Sequence, residues 1–163
     1  MSPDRPPKRR SAQRSAPQIR TGPSSDDAHG IVYLRRHKSD DPAQSVPGRV
    51  FLNACPTSVR AKFRAVLIAV AAAPPKRFAG GGYWEAMKGD MKGWFEVRVD
   101  GPQRHHYRLF CRLDYDAKDR SKPLLVVIDG REKPFRTELS AADYAAVRTL
   151  GDEYFARNPR SVQ

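Results

Sequence analysis

The stretch Trp94–Leu113, WFEVRVDGPQRHHYRLFCRL, decides how the rest of the chain is read. In its first half Phe95, Val97 and Val99 are apolar, while Trp94, Glu96, Arg98 and Asp100 point the other way. That is the period of two of a half-buried strand. The second half repeats it: Tyr107, Leu109, Cys111 and Leu113 face a core, and His106, Arg108, Phe110 and Arg112 lie on the outer face. Gly101-Pro102-Gln103-Arg104 between them has the composition of a turn, so the stretch predicts an antiparallel hairpin with one cationic, solvated face.

Pairing must keep both apolar sets on one face, which leaves two registers. One sets Glu96 against Arg108 and Arg98 against His106. The other, a slip of one pair, sets Arg98 against Arg108. Like charges directly opposite cost from a few tenths to about 1 kcal/mol, so the first register is expected, with Arg98, His106 and Arg108 clustered beside one carboxylate.

The 163 residues suit one domain with a tail. The net charge is +12, and 39% of residues are hydrophobic, enough for a modest core. Through Arg49 there are ten basic and five acidic residues, and after it twenty and thirteen, so the excess is +5 and then +7. Most of the charge therefore sits in the folded part, which points to a polyanion, nucleic acid first, as partner. Cys55 and Cys111 stand in no CxxC pair and have no histidine at ligand spacing, so no metal site and no disulfide is expected. The longest apolar run, 65–75, is too short to span a bilayer, and the N-terminus carries no apolar signal region. No membrane association and a cytoplasmic location are expected.

Residues 1–29, rich in Pro, Ser and Arg, are expected to be a disordered basic tail, residues 30–157 the domain, and 158–163 a C-terminal tail. Ile31–Leu34 begins a first strand, and Val50-Phe51-Leu52 fits a short strand or a helical turn. Cys55-Pro56-Thr57-Ser58 starts a helix with Ser58 as N-cap, whose apolar stripe is Val59, Phe63, Val66, Leu67 and Val70. Pro74-Pro75 stops it. Gly80-Gly81-Gly82 lacks the GxxxxGK[ST] pattern of a phosphate loop and reads as a flexible connection. Trp84–Gly89 fits a helical turn, with Trp84 and Met87 in the core. Leu124–Ile128 is continuously apolar and so a strand buried on both faces, leaving into a cationic loop, Asp129–Arg136. Ser140 and Asp143 make a capping box for a last helix whose inner face is Tyr144, Val147, Leu150 and Tyr154, and Asn158-Pro159 ends it.

This order of helix, paired strands, buried strand, basic loop and terminal helix, over roughly residues 50–155, resembles the RelE/HigB superfamily of type II toxin–antitoxin toxins. The resemblance is to the phage-type HigB-like branch. It rests on Met87-Lys88, on Gly93-Trp94-Phe95-Glu96-Val97-Arg98, on Tyr107-Arg108-Leu109-Phe110, and on the apolar strand followed by Gly130-Arg131-Glu132-Lys133 and Arg136-Thr137. It implies an α+β fold, a small antiparallel-rich twisted sheet packed by N-terminal and C-terminal helices. It also implies a toxin that enters the ribosomal decoding site and cleaves mRNA without a metal or cofactor, held silent by a cognate antitoxin, a small helix-turn-helix protein. Non-enzymatic binding of gyrase, as in ParE-type toxins, and RNA binding without cleavage are the alternatives.

In such a reaction a ribose 2′-OH attacks the neighbouring phosphodiester. That needs a proton acceptor, cations for the phosphorane oxygens, and an acid for the leaving 5′-oxygen. Arg98, Arg108 and Arg131 match positions where the family places basic residues, and the resemblance gives them phosphate binding and transition-state stabilisation. His106 is the first candidate for proton transfer, because histidine titrates near neutrality. Lys133 and Glu96 come after it, and His105 is expected to point away. Lys88, Lys92, Arg112, Lys133 and Arg136 are the expected RNA contacts. Tyr144 fits either core packing or stacking on a base. Three departures stand out: Glu96 sits where some relatives carry a basic residue, Arg131-Glu132-Lys133 replaces a doubled lysine, and the N-terminal extension is long for such a toxin.

Overall fold

The computed structural model describes residues 22–73 and 83–163. Most of the basic N-terminal segment, the prolines at 74–75 and the triglycine at 80–82 lie outside the described residues. Within them the order is β1 (Gly30–Tyr33), α1 (Pro47–Ala54), α2 (Thr57–Ala72), β2 (Trp84–Ala86), β3 (Trp94–Gly101), β4 (His105–Asp114), β5 (Leu124–Pro134) and α3 (Ala141–Phe155). The strands form one five-stranded sheet, β1-β5-β4-β3-β2, in which only β1 and β5 run parallel. The fold is therefore α+β with a mostly antiparallel sheet packed by helices on both faces, as the sequence leads one to expect.

The apolar sets found by period two divide between the faces. Val97, Val99, Tyr107, Leu109, Cys111, Leu125 and Val127 meet Leu52 of α1 and Val59, Phe63, Leu67 and Val70 of α2 in one core. Trp94, Phe110, Leu124, Val126 and Ile128 meet Val147 and Tyr154 of α3 in a second core, where Met91 also packs. The outer face of the hairpin is thus not simply solvated. Its half near the end of β4 carries Trp94 and Phe110, apolar residues that stabilise by roughly 1.5–3 kcal/mol each when buried, and α3 covers them. The half near the hairpin turn carries Arg98, Asp100, His106 and Arg108, which offer α3 no such surface.

Several local expectations are corrected. Trp84–Ala86 is a strand, because Glu85 and Ala86 find partners in Glu96 and Phe95 of β3. For Val50–Leu52 the helical alternative holds: it lies in α1, whose Phe51 seats on Gly130. A Cβ at Gly130 would stand 2.1 Å from that ring, so the helix can approach β5 only over glycine. Ser58 is not the cap of α2; Pro56 occupies the cap position and makes no side-chain cap. The β5 strand does not stop at Ile128. A bulge between Phe110 and Cys111 of β4 absorbs one extra residue, and pairing continues to Pro134 opposite His105. Arg131 and Lys133 are therefore strand residues rather than loop residues.

The capping box is present: Ser140 Oγ accepts from the Asp143 N–H at 3.0 Å, and the Asp143 carboxylate accepts from the Ser140 N–H at 3.0 Å. Residues 158–163 are tied to the domain. Tyr33 and Gln163 exchange backbone hydrogen bonds of 3.2 and 2.9 Å. Arg160 Nε donates to the buried Asp114 at 2.8 Å. Asp27 and His29, assigned to the N-terminal tail, are buried beside Lys122, whose Nζ donates to the carbonyls of Ser25 and Asp27. Both cysteines are free and buried. Among the described residues no helix is long and apolar enough to cross a membrane, and no His/Cys/Asp/Glu cluster has metal-site geometry.

Candidate functional site

The hairpin takes the register in which Arg98 faces Arg108 and Asp100 faces His106, not the one that sets Glu96 against Arg108 and Arg98 against His106. The repulsion that argues against this register is relieved from outside the hairpin. Strand β2 brings Glu85 Oε2 to 3.0 Å from Arg98 Nη1, while Glu96 Oε1 lies 2.8 Å from Arg98 Nε. Glu96, 8% exposed, faces Phe110 across the strands and is a partner of Arg98. The turn that fixes the register holds Gln103 and Arg104 at φ 61° and 56°, and Arg104 O accepts from the Phe135 N–H at 2.8 Å.

Since residues paired across strands point to one face, Arg98, Arg108 and Arg131 form a row across β3, β4 and β5. Asp100, His106 and Lys133 form the next row. The first row is extended on the β2 side by Tyr83, whose carbonyl accepts from the Arg98 N–H at 2.9 Å. A cleft of about 400 Å³ opens here, lined by Lys62, Tyr83, Arg98, Asp100, His106 and Arg108.

The three arginines differ in how far they are already paired. Arg98 has Glu85 and Glu96. Arg131 is held by Asp129 and by its hydrogen bond to Gly130 O, with Asp143 of α3 at 3.8 Å, and it does not line the cleft. Arg108 is 8% exposed, donates from Nη1 to Tyr107 O at 3.1 Å, and among the described residues has one carboxylate oxygen, Asp100 Oδ1, at 4.0 Å. Burial pushes the Arg108 pKa below the usual guanidinium value, Arg98 adds to the effect, and Glu96 and Asp100 oppose it. A buried cation with so few partners gains from an incoming anion.

The same Asp100 Oδ1 lies 2.5 Å from His106 Nδ1, and the imidazole stacks on Phe135 with ring centres 4.3 Å apart. A carboxylate fixes the ring and puts the proton on Nδ1, leaving Nε2 as the nitrogen that can accept one. His105, on the opposite face, lies 6.5 Å from the Tyr107 ring.

Of the residues singled out from sequence, the structure brings Arg98, His106 and Arg108 into one cleft and places Arg131 and Lys133 on the adjoining strand. It does not bring Arg112 there. Four residues along β4 from Arg108, roughly 13 Å, the Arg112 guanidinium lies over the rings of Trp94, at 5.2 Å, and Phe155, at 4.7 Å. Lys88 lines a separate hollow with Met87, Met91, Tyr144 and Arg148, and Lys92 is exposed just past the turn Gly89–Met91. Arg136 is exposed beyond the end of β5. Tyr144 is partly buried, edge-on to Phe110 at 6.1 Å. Sequence reasoning missed Asp100, Glu85, Lys62 and Tyr83. Asp100 was within reach of it, because the rejected register places Asp100 opposite His106. No family model, curated protein or solved structure matches the chain.

Proposed function

We propose that this chain is a cytoplasmic toxin of the RelE/HigB type, an endoribonuclease that cleaves mRNA on the ribosome and is silenced by a cognate antitoxin. One observation carries the reading: Asp100 Oδ1 joins a histidine, His106, to a buried and sparsely paired arginine, Arg108, inside an open cleft. This supports general-base chemistry beside an anion site.

In the proposed reaction Arg108 takes a non-bridging phosphate oxygen, and His106 Nε2 accepts the proton of the ribose 2′-OH. The 2′-oxygen bonds to phosphorus, the bond from phosphorus to the 5′-oxygen breaks, and a 2′,3′-cyclic phosphate is left. Lys133, directly across from His106, donates the proton to the leaving oxygen. Arg98 and Arg131, held by carboxylates, set the field of the row rather than gripping the phosphate.

That same pairing favours a second reading, RNA binding without cleavage, in which Arg98 and Arg131 are structural. The test is controlled expression of the wild type, Arg108→Ala and His106→Ala in a bacterial host, with growth followed and mRNA 5′ ends mapped. Arrest with new in-frame cuts, lost in both variants, is the expected result. Arrest without cuts points to a gyrase-type target, and soluble protein without arrest points to binding alone.

A further inference from the structure

The cleft has two walls that the proposed chemistry leaves unused. Tyr83 is 60% exposed, one of three large hydrophobic residues so exposed among those described, and of the three it alone lines this cleft. It follows the alternation of β2: Trp84 is buried in the core at 1% exposure, so Tyr83 and Glu85 point to the other face, that of Arg98 and Arg108. Its backbone is fixed there by the Arg98 N–H. Tyr83 thus stands in line with the arginine row, two strands or roughly 10 Å from β4. That spacing suits a base and its sugar reaching out from a phosphate on Arg108. Lys62 is an exposed residue of α2 and adds a cation at the cleft's margin that no carboxylate holds within 4.0 Å among the described residues.

We propose that Tyr83 and Lys62 form a subsite for the nucleotide next to the scissile phosphate, Tyr83 stacking on its base and Lys62 meeting its phosphate. The ligand is single-stranded RNA, and the inference rests on the nuclease reading above. An aromatic face beside a cation is how single strands are held without base identity, since every base has a π-face and every nucleotide a charge. Neither residue touches the reacting atoms. They position the strand, so they act on affinity first and on the chemical step only through that positioning.

The test uses the full chain and a short 2′-fluoro RNA, which lacks the nucleophilic 2′-OH, with binding followed by fluorescence anisotropy. A second oligomer of the same length is abasic throughout. Tyr83→Ala is expected to weaken binding of the base-bearing oligomer roughly 5- to 150-fold, the range for loss of one base stack. It should leave the abasic oligomer unchanged. Tyr83→Phe is expected to bind like the wild type, because the ring and not the hydroxyl is used. Lys62→Ala should weaken both oligomers and flatten the salt dependence by about 0.7 in log–log slope, the share of one single-strand phosphate. On cleavable RNA with ribosomes, Tyr83→Ala should raise the half-saturating RNA concentration by a larger factor than it lowers the maximal rate.

Equal binding of the base-bearing oligomer by wild type and Tyr83→Ala overturns the subsite, as does an equal loss on both oligomers. In either case cleavage by the wild type leaves the nuclease reading standing. A wild type that binds neither oligomer and cuts no mRNA overturns both.

Discussion

Asp100 Oδ1 stands 2.5 Å from Nδ1 of His106, directly across the β3–β4 hairpin. The relationship makes a sharp demand on one atom. Asp100→Asn keeps the shape and can still hydrogen-bond, but it no longer enforces the Nδ1 tautomer. Cleavage should fall by about 10²–10⁴ in single-turnover rate, the usual contribution of a positioned general base. His106→Ala should lose a similar amount, and the double variant little more, because the two act as a unit. The Asp100 side chain is 63% exposed, so folding should be unaffected. A wild-type rate in Asp100→Asn would remove His106 from the chemistry.

Arg108 separates function from stability. Its guanidinium is nearly buried and has one hydrogen bond among the described residues, to a backbone carbonyl. Replacing it with methionine fills the same space without a desolvated charge and leaves behind Asp100, which is exposed enough to be hydrated. Urea unfolding of Arg108→Met should therefore show unchanged or higher stability, by up to about 2 kcal/mol. RNA affinity should drop at least tenfold. A variant that loses several kcal/mol of stability would instead mean that the arginine holds the sheet together.

The carboxylates around Arg98 hold back its charge. Glu85→Gln removes a pair at 3.0 Å in which both side chains are about one-third or more exposed, so the cost to stability should stay below about 1 kcal/mol. Arg98, which lines the cleft, is then freer to meet phosphate. Binding of single-stranded RNA at low salt should tighten about threefold, with a steeper salt dependence. If affinity is unchanged, Arg98 is a structural cation and Arg108 alone receives the phosphate.

What could be read in advance follows from which contacts are local. The alternation in β3 and β4, the continuous apolar start of β5, the stripe of α2 and the box at Ser140 are each set within a few residues, and all stand in the structure. The register failed because the deciding partner, Glu85, comes from a strand that pairs only with β3 and reads on its own as a helical turn. The extension of β5 failed because Asp129-Gly130-Arg131-Glu132 has turn-like composition, while the real reason for glycine there is Phe51, some eighty positions earlier. The outer face seemed solvated because nothing in β3 and β4 says that α3 returns to cover Trp94 and Phe110. In the cleft, the cations were legible as residue types on one face. Of the acids that tune them, Glu96 and Asp100 lie on β3 within the hairpin itself, but Glu85, Asp129 and Asp143 come from β2, β5 and α3 and could not be placed from the hairpin alone.

Gly151 of α3 sets two rules against each other. Alanine is a better helix former by about 1 kcal/mol, so propensity alone predicts that Gly151→Ala stabilises. A Cβ there, however, would lie 2.4 Å from Trp94 Cζ2 and 2.6 Å from Cη2, inside an indole that is itself 3% exposed. Overpacking of this kind costs about 1–3 kcal/mol, so the net effect should be a loss, seen as a lower urea midpoint with an unchanged slope. Trp94→Phe in the same chain should recover part of it, because the smaller ring removes the clash.

The acid limit of the fold should trace to Asp114. Burial alone would raise its pKa, but hydrogen bonds from Arg160, Tyr154 and the Asp116 N–H outweigh that and hold it below the ordinary 3.8. A carboxylate whose folded pKa is depressed contributes stability that is present above its unfolded pKa and is lost as pH falls through the folded one. This part of the stability should therefore be constant above about pH 5 and decline below about pH 4. Asp114→Asn should flatten that acid limb in a series of thermal midpoints against pH. At neutral pH it should also cost about 3 kcal/mol or more, because Arg160, 7% exposed, loses its counter-charge and stays buried. The alkaline side follows from Tyr154, whose pKa is raised by burial first and by the hydrogen bond to Asp114 second. Its contribution is full below the unfolded value of 10.0 and fades as pH rises above it, so Tyr154→Phe should level the alkaline limb. If Asp114→Asn keeps the wild-type acid profile, the buried carboxylate is not what ties Arg160 and Tyr154 to the sheet.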